Sequence, residues 1–461
     1  MIARPLSEIA TAVGGVLRGT DTQVTSVATD SRHTTPGALF VAIAGERVDG
    51  HDFVAEAIAR GAVAALVHRE VAAERSILVR ETGRALLDLG SDERRRMSGT
   101  TVLGITGSNG KTSTKDLTAA ICGTRFQTHA SPASFNNEIG LPMTLLSADV
   151  ATEVIACEMG ARREGDLTLL CAVARPEIAV VTNIGVAHME IFGSWEAIVR
   201  AGAEPLRWLG DDGVAVLNAD DPVTRGYAAD VRARVLSFGT DPGADVRAEE
   251  ITVGTDGRAS FALSSGAERE PVELAVPGEH MVSNALAGAA CGLALGMTVA
   301  ECAVALKGAR ISPWRMETFE TATGLIVVND AYNANPESMA AALKTARWMA
   351  RGSRLAAVLG HMAELGPVAF AEHERLGELV VRIGVDRLIT VGDEARQVAR
   401  AAVREGQRPQ DVASFDEPAE AADDVRSWAR PGDVVLLKGS RVAGIERVVG
   451  RLRQDGREAA P

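Results

Sequence analysis

The stretch Thr101-Val-Leu-Gly-Ile-Thr106-Gly107-Ser108-Asn109-Gly110-Lys111-Thr112 decides the fold. Its first half is an apolar run that predicts a buried strand, and the residues from Lys111 through Ala120 predict a helix. A strand, a glycine turn and a helix opening on Lys-Thr build a cradle of backbone N–H groups at a helix N-terminus, which suits phosphate. The general phosphate-loop pattern has glycine where this chain has Ile105. Lys111 is one of only five lysines in a chain whose other fixed cations are arginine; the rest are Lys115, Lys307, Lys344 and Lys438. An ammonium is a compact charge on a flexible stem and can follow a phosphoryl group in motion. The Thr112 hydroxyl falls where such loops hold Mg²⁺.

Outward from this loop, strands alternate with helices. Glu153-Val-Ile-Ala-Cys157, Ile178-Ala-Val-Val-Thr182 and Val214-Ala-Val-Leu217 are apolar runs of strand length. Strand–helix alternation predicts a parallel sheet with right-handed crossovers, buried on both faces. Residues 245–276 alternate like antiparallel strands of an added sheet, and an Ala/Gly-rich helix runs from about Ser283 to Leu295. The Pro313 region marks a boundary. Beyond it lie Leu325-Ile-Val-Val-Asn329, Leu355-Ala-Ala-Val-Leu359, Arg387-Leu-Ile-Thr-Val391 and Val434-Val-Leu-Leu437, again alternating with helices. Residues before the loop form a first α/β unit, with the polar stretch Ser91 to Gly99 as a linker. The expectation is an α/β protein of three domains, 1–98, 99–312 and 313–461. The central one has a phosphate-loop-type, mostly parallel sheet, and the last is Rossmann-like. The tail from Gln454 to Pro461 reads as frayed.

Bulk composition narrows the function. The net charge is -13 and no basic cluster stands out, which argues against nucleic acid and against an anionic membrane surface. Arg94-Arg95-Arg96 reads as a solvated helix end. Cys122, Cys157, Cys171, Cys291 and Cys302 show no metal-ligand spacing and sit among apolar residues, so buried free thiols in a reducing compartment are expected. No signal peptide is evident and no apolar run approaches the roughly 20 residues needed to span a bilayer. The expectation is a cytosolic protein, with nothing that demands an oligomer.

Open parallel sheets bind ligands beyond the carboxyl ends of their strands. In the central unit those ends carry Thr106, Glu158-Met-Gly160 and Thr182-Asn183-Ile-Gly185, with His188 three residues on. A carboxylate near Thr112 suits Mg²⁺, which prefers oxygen. Asn136-Asn137-Glu138, Asn218-Ala-Asp220-Asp221 and the pair His280 and Asn284 add polar groups. In the third unit Asp330-Ala-Tyr332-Asn333-Ala-Asn335-Pro336, Gly360-His361-Met-Ala-Glu364-Leu-Gly366 and Lys438-Gly-Ser440-Arg441 follow three strand ends. Any one such cluster reads as a turn. Three at the strand ends of one domain suggest a second face closing over a ligand.

Taken together, these segments resemble the Mur ligase family over essentially the whole chain. The resemblance is carried by Thr106–Thr112, Asn136–Gly140, Glu158–Ala161, Asn183–Ser194, Asn218–Asp221, Arg315–Glu317, Asp330–Pro336 and Lys438–Arg441. It is strongest to the branch that joins D-Ala-D-Ala to a UDP-N-acetylmuramoyl-tripeptide, in Ala133–Pro142, Tyr332–Met339 and Met362–Gly366. It implies an ATP-dependent, ADP-forming ligase of peptidoglycan synthesis that works through an acyl phosphate. Carried over residue by residue, it gives Lys111, Glu158 and His188 as catalytic. Gly107, Ser108, Asn109, Gly110, Lys111, Thr112, Asn284, Arg315 and Asp330 would hold ATP, and Thr112, Glu158 and His188 would hold Mg²⁺. Ser31, Arg32, Asn136, Asn137, Asn333 and Asn335 would meet the UDP-linked substrate and the dipeptide. The pattern breaks in three places. The family has a lysine, often carbamylated to ligate a second metal, where this chain has Gly202. Arg200 cannot be carbamylated, which leaves the carboxylate of Glu204 as a substitute. Met281 stands for a usual Asn, and His361 for a frequent Asp. These departures leave room for a relative acting on a different acceptor; a weakly catalytic nucleotide-binding subunit is disfavoured by the intact Lys111, Thr112 and Glu158.

Overall fold

The computed structural model describes residues 1–45 and 48–454; of the tail expected to be frayed from Gln454 to Pro461, Gln454 ends a helix and the rest lies outside the described residues. Among the described residues three large sheets form three α/β units along the chain, with a two-stranded pair, Arg4–Pro5 and Gln23–Val24, in the first.

In the first unit a five-stranded sheet runs in the order Val16–Arg18, Ser76–Leu78, Ala64–Val67, Ala38–Val41, Ser26–Ala28, parallel except at the first pair. The expected linker is not a linker. Residues 82–96 form one helix, and Gly90 lies so close to Pro142 that a Cβ there would sit 2.6 Å from the proline Cβ. Its polar residues are spent internally. Arg4, nearly buried, pairs with Asp92 and reaches Glu93 at 3.4 Å. Arg94 is also buried, donating to the carbonyls of Ala174 and Met97 at 2.9 Å, so only Arg95 and Arg96 match the expected solvated helix end.

The central unit holds β1 (Thr101–Thr106), α1 (Lys111–Cys122), β2 (Val154–Glu158) and β3 (Ile178–Val181). β1 is flanked by β2 and β3, all parallel, and these strands are fully or almost fully buried. Their continuous apolar runs follow from helices covering both faces. The antiparallel strands Val246–Val253, Arg258–Ser265 and Glu268–Pro277 appear as expected. They do not form a separate sheet: Val246–Val253 pairs in parallel with Arg234–Gly239 and extends the central sheet to nine strands. The Ala/Gly-rich helix α2 (Met281–Ala294) packs along α1; at Gly288 an added Cβ would lie 3.2 Å from the Thr118 backbone nitrogen, so only small residues allow this approach.

The third unit has β4 (Ile326–Asp330), α3 (Pro336–Met349), β5 (Leu355–Gly360) and β6 (Val434–Lys438). Its sheet runs Glu317–Glu320, β4, β6, β5, Arg387–Val391, Val412–Phe415, parallel except for the first pair. α3 leans on the central unit's antiparallel extension, where the Trp348 ring N–H donates to the Gly254 carbonyl at 2.9 Å. The carboxyl ends of β4, β5 and β6 thereby meet those of β1, β2 and β3. The five cysteines are free and buried, as the sequence suggested. No helix among the described residues is long and apolar enough to cross a membrane.

Candidate functional site

A cavity of about 710 Å³ lies where the two sets of strand ends meet. Its floor is the loop between β1 and α1. Gly107 and Gly110 both take positive φ, and a Cβ at either would collide, with the Thr182 hydroxyl at 2.1 Å or the Asn284 side-chain oxygen at 2.3 Å. The loop is pinned to the end of β3: Ser108 N donates to Asn183 O at 2.9 Å, Asn109 N to Asn183 Oδ1 at 2.9 Å, and the Ser108 hydroxyl to Gly185 O at 3.0 Å. These bonds use the first loop amides and leave the opening turn of α1, whose N–H groups have no helical partner, for an anion. Lys111 Nζ reaches back over the loop to Gly107 O at 2.7 Å and Ser108 O at 3.3 Å. Burial pulls its ammonium below the ordinary lysine range, with the Glu158 charge opposing the shift.

Glu158 ends β2 and is almost fully buried. One carboxylate oxygen accepts from Asn136 Nδ2 at 2.8 Å, and the other, also buried, has no hydrogen-bond partner. A buried carboxylate oxygen without a donor is costly unless a cation meets it. Beside it in the cavity wall is the Thr112 hydroxyl, which accepts from Arg315 Nη2 at 3.0 Å. Two oxygen donors, one of them orphaned, fit a hard divalent cation.

The third unit closes the roof by side chains. Tyr332 hydrogen-bonds Ser134, and the Arg315 guanidinium stacks 4.1 Å over the Tyr332 ring. Asn335, the N-cap of α3, donates to Asn109 Oδ1 at 2.5 Å. Lys438 Nζ, buried, bonds Asp330 Oδ2 at 2.6 Å and Asn333 O at 2.9 Å. His188 Nδ1 bonds Glu364, whose other oxygen faces Arg162 at 3.4 Å. Burial and the nearby Lys111 charge lower the His188 pKa, while Glu364 raises it. His188, Trp314, Met316 and Glu364 all hold left-handed backbone without being glycine. Such strain persists only where surrounding contacts over-determine it, and it clusters at functional sites.

Around one cavity the structure brings together Ser108 to Thr112, Asn136, Asn137, Glu158, His188, Asn284, Arg315, Asp330, Asn333 and Asn335, with Gly107 in the loop beneath. It does not bring Ser31 and Arg32 there. Ser31 is buried and donates to Glu56 at 3.1 Å, and Arg32 pairs with Asp30, holding that carboxyl down to about 2. Asn137 lines the cavity, but its side-chain oxygen caps the following helix by accepting from Gly140 N at 2.9 Å.

Glu204 is a correction. It is turned away and caps the helix Asp166–Ala174, accepting from Gly165 N at 2.6 Å and Thr168 N at 2.8 Å. At Gly202 a Cβ would lie 2.4 Å from Ile184 Cδ1 and 2.9 Å from the Tyr227 hydroxyl, so any side chain there must displace both. Asn218 and Asp221 mainly hold turns, to Thr182 O at 2.8 Å and Val223 N at 2.8 Å. Sequence reasoning missed Lys115, whose buried ammonium ties down Ser131 O and Ala133 O at 2.7 Å and so sets the loop carrying Ser134 and Asn136. The scarcity of lysine was the signal that marked it.

Family models match along the chain: the Mur ligase family catalytic domain at residues 23–87, the Mur ligase middle domain at 105–292 and the Mur ligase glutamate ligase domain at 314–441. The UDP-N-acetylmuramoyl-tripeptide–D-alanyl-D-alanine ligase of Mycobacterium leprae is 38% identical, with 99% of each chain covered. The chain belongs to the Mur ligase family. Among solved Mur ligases, MurF from Acinetobacter baumannii superposes with a TM-score of 0.87 at 30% identity, covering 98% of this chain and 100% of that one. The MurF ligase of Thermotoga maritima, solved in complex with ADP, gives a TM-score of 0.81 at 29% identity, covering 95% and 99%. In this Mur ligase the matched middle domain carries the phosphate loop, Glu158 and His188, and the matched C-terminal domain carries Arg315, Asp330 and Lys438.

Proposed function

We propose that this Mur ligase joins D-Ala-D-Ala to the terminal carboxylate of a UDP-N-acetylmuramoyl-tripeptide, converting ATP to ADP and phosphate, in peptidoglycan precursor synthesis. The names of its relatives support the substrate pair. One observation carries the chemistry: a phosphate loop, an orphaned carboxylate oxygen on Glu158 and a cationic roof converge on one cavity.

The substrate carboxylate attacks the γ-phosphorus, the bond to the β-phosphate oxygen breaks, and ADP leaves an acyl phosphate. The dipeptide nitrogen then attacks the acyl carbon, and its C–O bond to phosphate breaks. Lys111 and the first-turn amides of α1 follow the transferring phosphoryl group and offset its charge. Thr112 and Glu158 would hold Mg²⁺, which supplies charge neutralisation as two anions are brought together. Asn284, Arg315 and Asp330 hold the nucleotide. Asn136, Asn137, Asn333 and Asn335 line the acyl and amine sides, and Ser31 and Arg32 meet the uridine nucleotide on the first unit. The family's lysine ligand for a second cation is absent, because position 202 is glycine and Glu204 is a helix cap; His188 would still meet a cation through Nε2, since Glu364 engages only Nδ1, the partner a metal-bound imidazole commonly has. Through Nδ1, His188 is also the central unit's contact to Glu364 of the closing third unit. Closure excludes water from the acyl phosphate.

The division into domains 1–98, 99–312 and 313–461 belongs to the same reading, supported by three large separate sheets and three matched family segments. So do a monomeric state and a cytosolic site of action with no nucleic-acid partner, supported by the acidic charge. The test is phosphate release from ATP with UDP-muramoyl tripeptide, with and without D-Ala-D-Ala. Release that needs both is expected. Release that needs a different amine would replace this reading with a paralogous carboxylate–amine ligase.

A further inference from the structure

The proposed amine substrate ends in a carboxylate, and burying that charge under a closing roof requires a cation in hydrogen-bonding reach. Among the described residues five lysine and arginine side chains line the cavity: Lys111, Arg162, Arg315, Lys438 and Arg441. Three are committed to the phosphate end. Lys111 lies on its own loop, Arg315 on Thr112, and Lys438 on Asp330. The other two keep their side chains more than half exposed, 66% for Arg162 and 54% for Arg441. Arg162 belongs to the central unit and already faces the Glu364 carboxylate at 3.4 Å. Arg441 belongs to the third unit and approaches from the opposite side.

The Arg441 guanidinium stacks 4.4 Å over the Trp314 ring, and its nearest carboxylate oxygen, on Glu446, is 3.7 Å away, too far for a good hydrogen bond. Stacking fixes the plane of the fork while leaving its N–H edges for a ligand, the geometry that grips a carboxylate with two bonds. The turn that presents it is rigid. Ser440 N donates to His361 O at 3.0 Å, and the Ser440 hydroxyl accepts from Ala363 N at 2.8 Å. Val442, 74% exposed, lines the same cavity and offers an apolar contact to a small methyl side chain. We propose that Arg441, set by Trp314, binds the terminal carboxylate of the incoming dipeptide and so makes the enzyme specific for an acceptor with a free C-terminus. This assignment rests on the functional reading above.

The experiment is steady-state kinetics on the full chain with ATP, UDP-muramoyl tripeptide and either D-Ala-D-Ala or D-alanyl-D-alaninamide, whose carboxylate is an amide. In the unaltered enzyme the amide should raise KM for the dipeptide by about 10- to 100-fold, as expected for a charge-assisted pair. Arg441→Met should raise KM for D-Ala-D-Ala by a similar factor and lose the distinction between the two dipeptides. KM for ATP and for the tripeptide should stay within about twofold, and Arg441→Lys should recover part of the loss. Arg441→Gln replaces Arg441→Met if the latter melts early. Retained carboxylate preference in these variants overturns the assignment alone, as does a KM change confined to ATP or the tripeptide. Absence of dipeptide-dependent phosphate release by the unaltered enzyme overturns the functional reading and this assignment with it.

Discussion

Asp330 and Lys438 face each other in register across β4 and β6, with Lys438 Nζ 2.6 Å from Asp330 Oδ2. Both are buried. Burial holds the pKa of the Lys438 ammonium below the ordinary lysine value, and the Asp330 charge and hydrogen bond oppose that shift. Asp330→Asn leaves that ammonium without its carboxylate. The expected cost is about 3 kcal/mol of stability, read as an earlier urea midpoint, together with weaker ATP binding.

Lys111→Ala should abolish phosphate release while leaving the fold intact. Its ammonium bonds only the loop's own carbonyls, so folding does not depend on it. A loss of about 10²-fold or more in kcat is expected, with an unchanged melting curve. Near-normal turnover would remove the phosphate-loop assignment.

Glu158→Gln keeps the shape but removes the charge from the orphaned oxygen. The amide should bind the ATP analogue with little dependence on Mg²⁺, whereas the unaltered enzyme should bind it at least about tenfold tighter with Mg²⁺. Calorimetric titrations with and without the ion decide it. An unchanged Mg²⁺ effect would move the cation elsewhere.

Gly202→Lys should not install a second metal ligand. Its Cβ must displace Ile184 and Tyr227, which overpacks the core by about 1–3 kcal/mol. Thermal melting shows the loss, and Mn²⁺ titration in the presence of an ATP analogue should find one bound ion in both proteins. Two ions in the unaltered enzyme would contradict the reading of this corner.

His280 and His373 are both held below the ordinary imidazole value of 6.5, chiefly by burial. Below that pH the unfolded chain takes up protons that the folded chain resists, so stability is full above 6.5 and falls as the pH drops. His373 shows why. Its Nε2 accepts from Met362 N at 3.0 Å and its Nδ1 donates to Ala369 O at 2.7 Å, an arrangement that only the neutral ring satisfies. Urea midpoints should fall between pH 7 and pH 5.5, and His373→Gln should flatten that fall.

Strand ends and the phosphate loop were legible because their causes are local. Strands buried on both faces must be apolar along their length, and Gly107 and Gly110 mark backbone that no other residue takes easily. What stayed hidden depends on partners far away in sequence. His188 and Glu364 are 176 positions apart, and neither announces the other. Glu204 looked like a spare metal ligand because its helix-capping role depends on Gly165 and Thr168. The helix across Ser91 was mistaken for a linker because its polar face is neutralised by Arg4, near the other end of the unit.

Two helix starts meet at Asn109. α1 opens just after it, and α3 opens at Asn335, whose amide touches it. Each helix start carries a partial positive charge of about half a unit. One start belongs to the central unit and the other to the third. The electric field felt by a phosphate in the cavity is therefore complete only when the third unit is docked, which makes docking itself a step in charging the site.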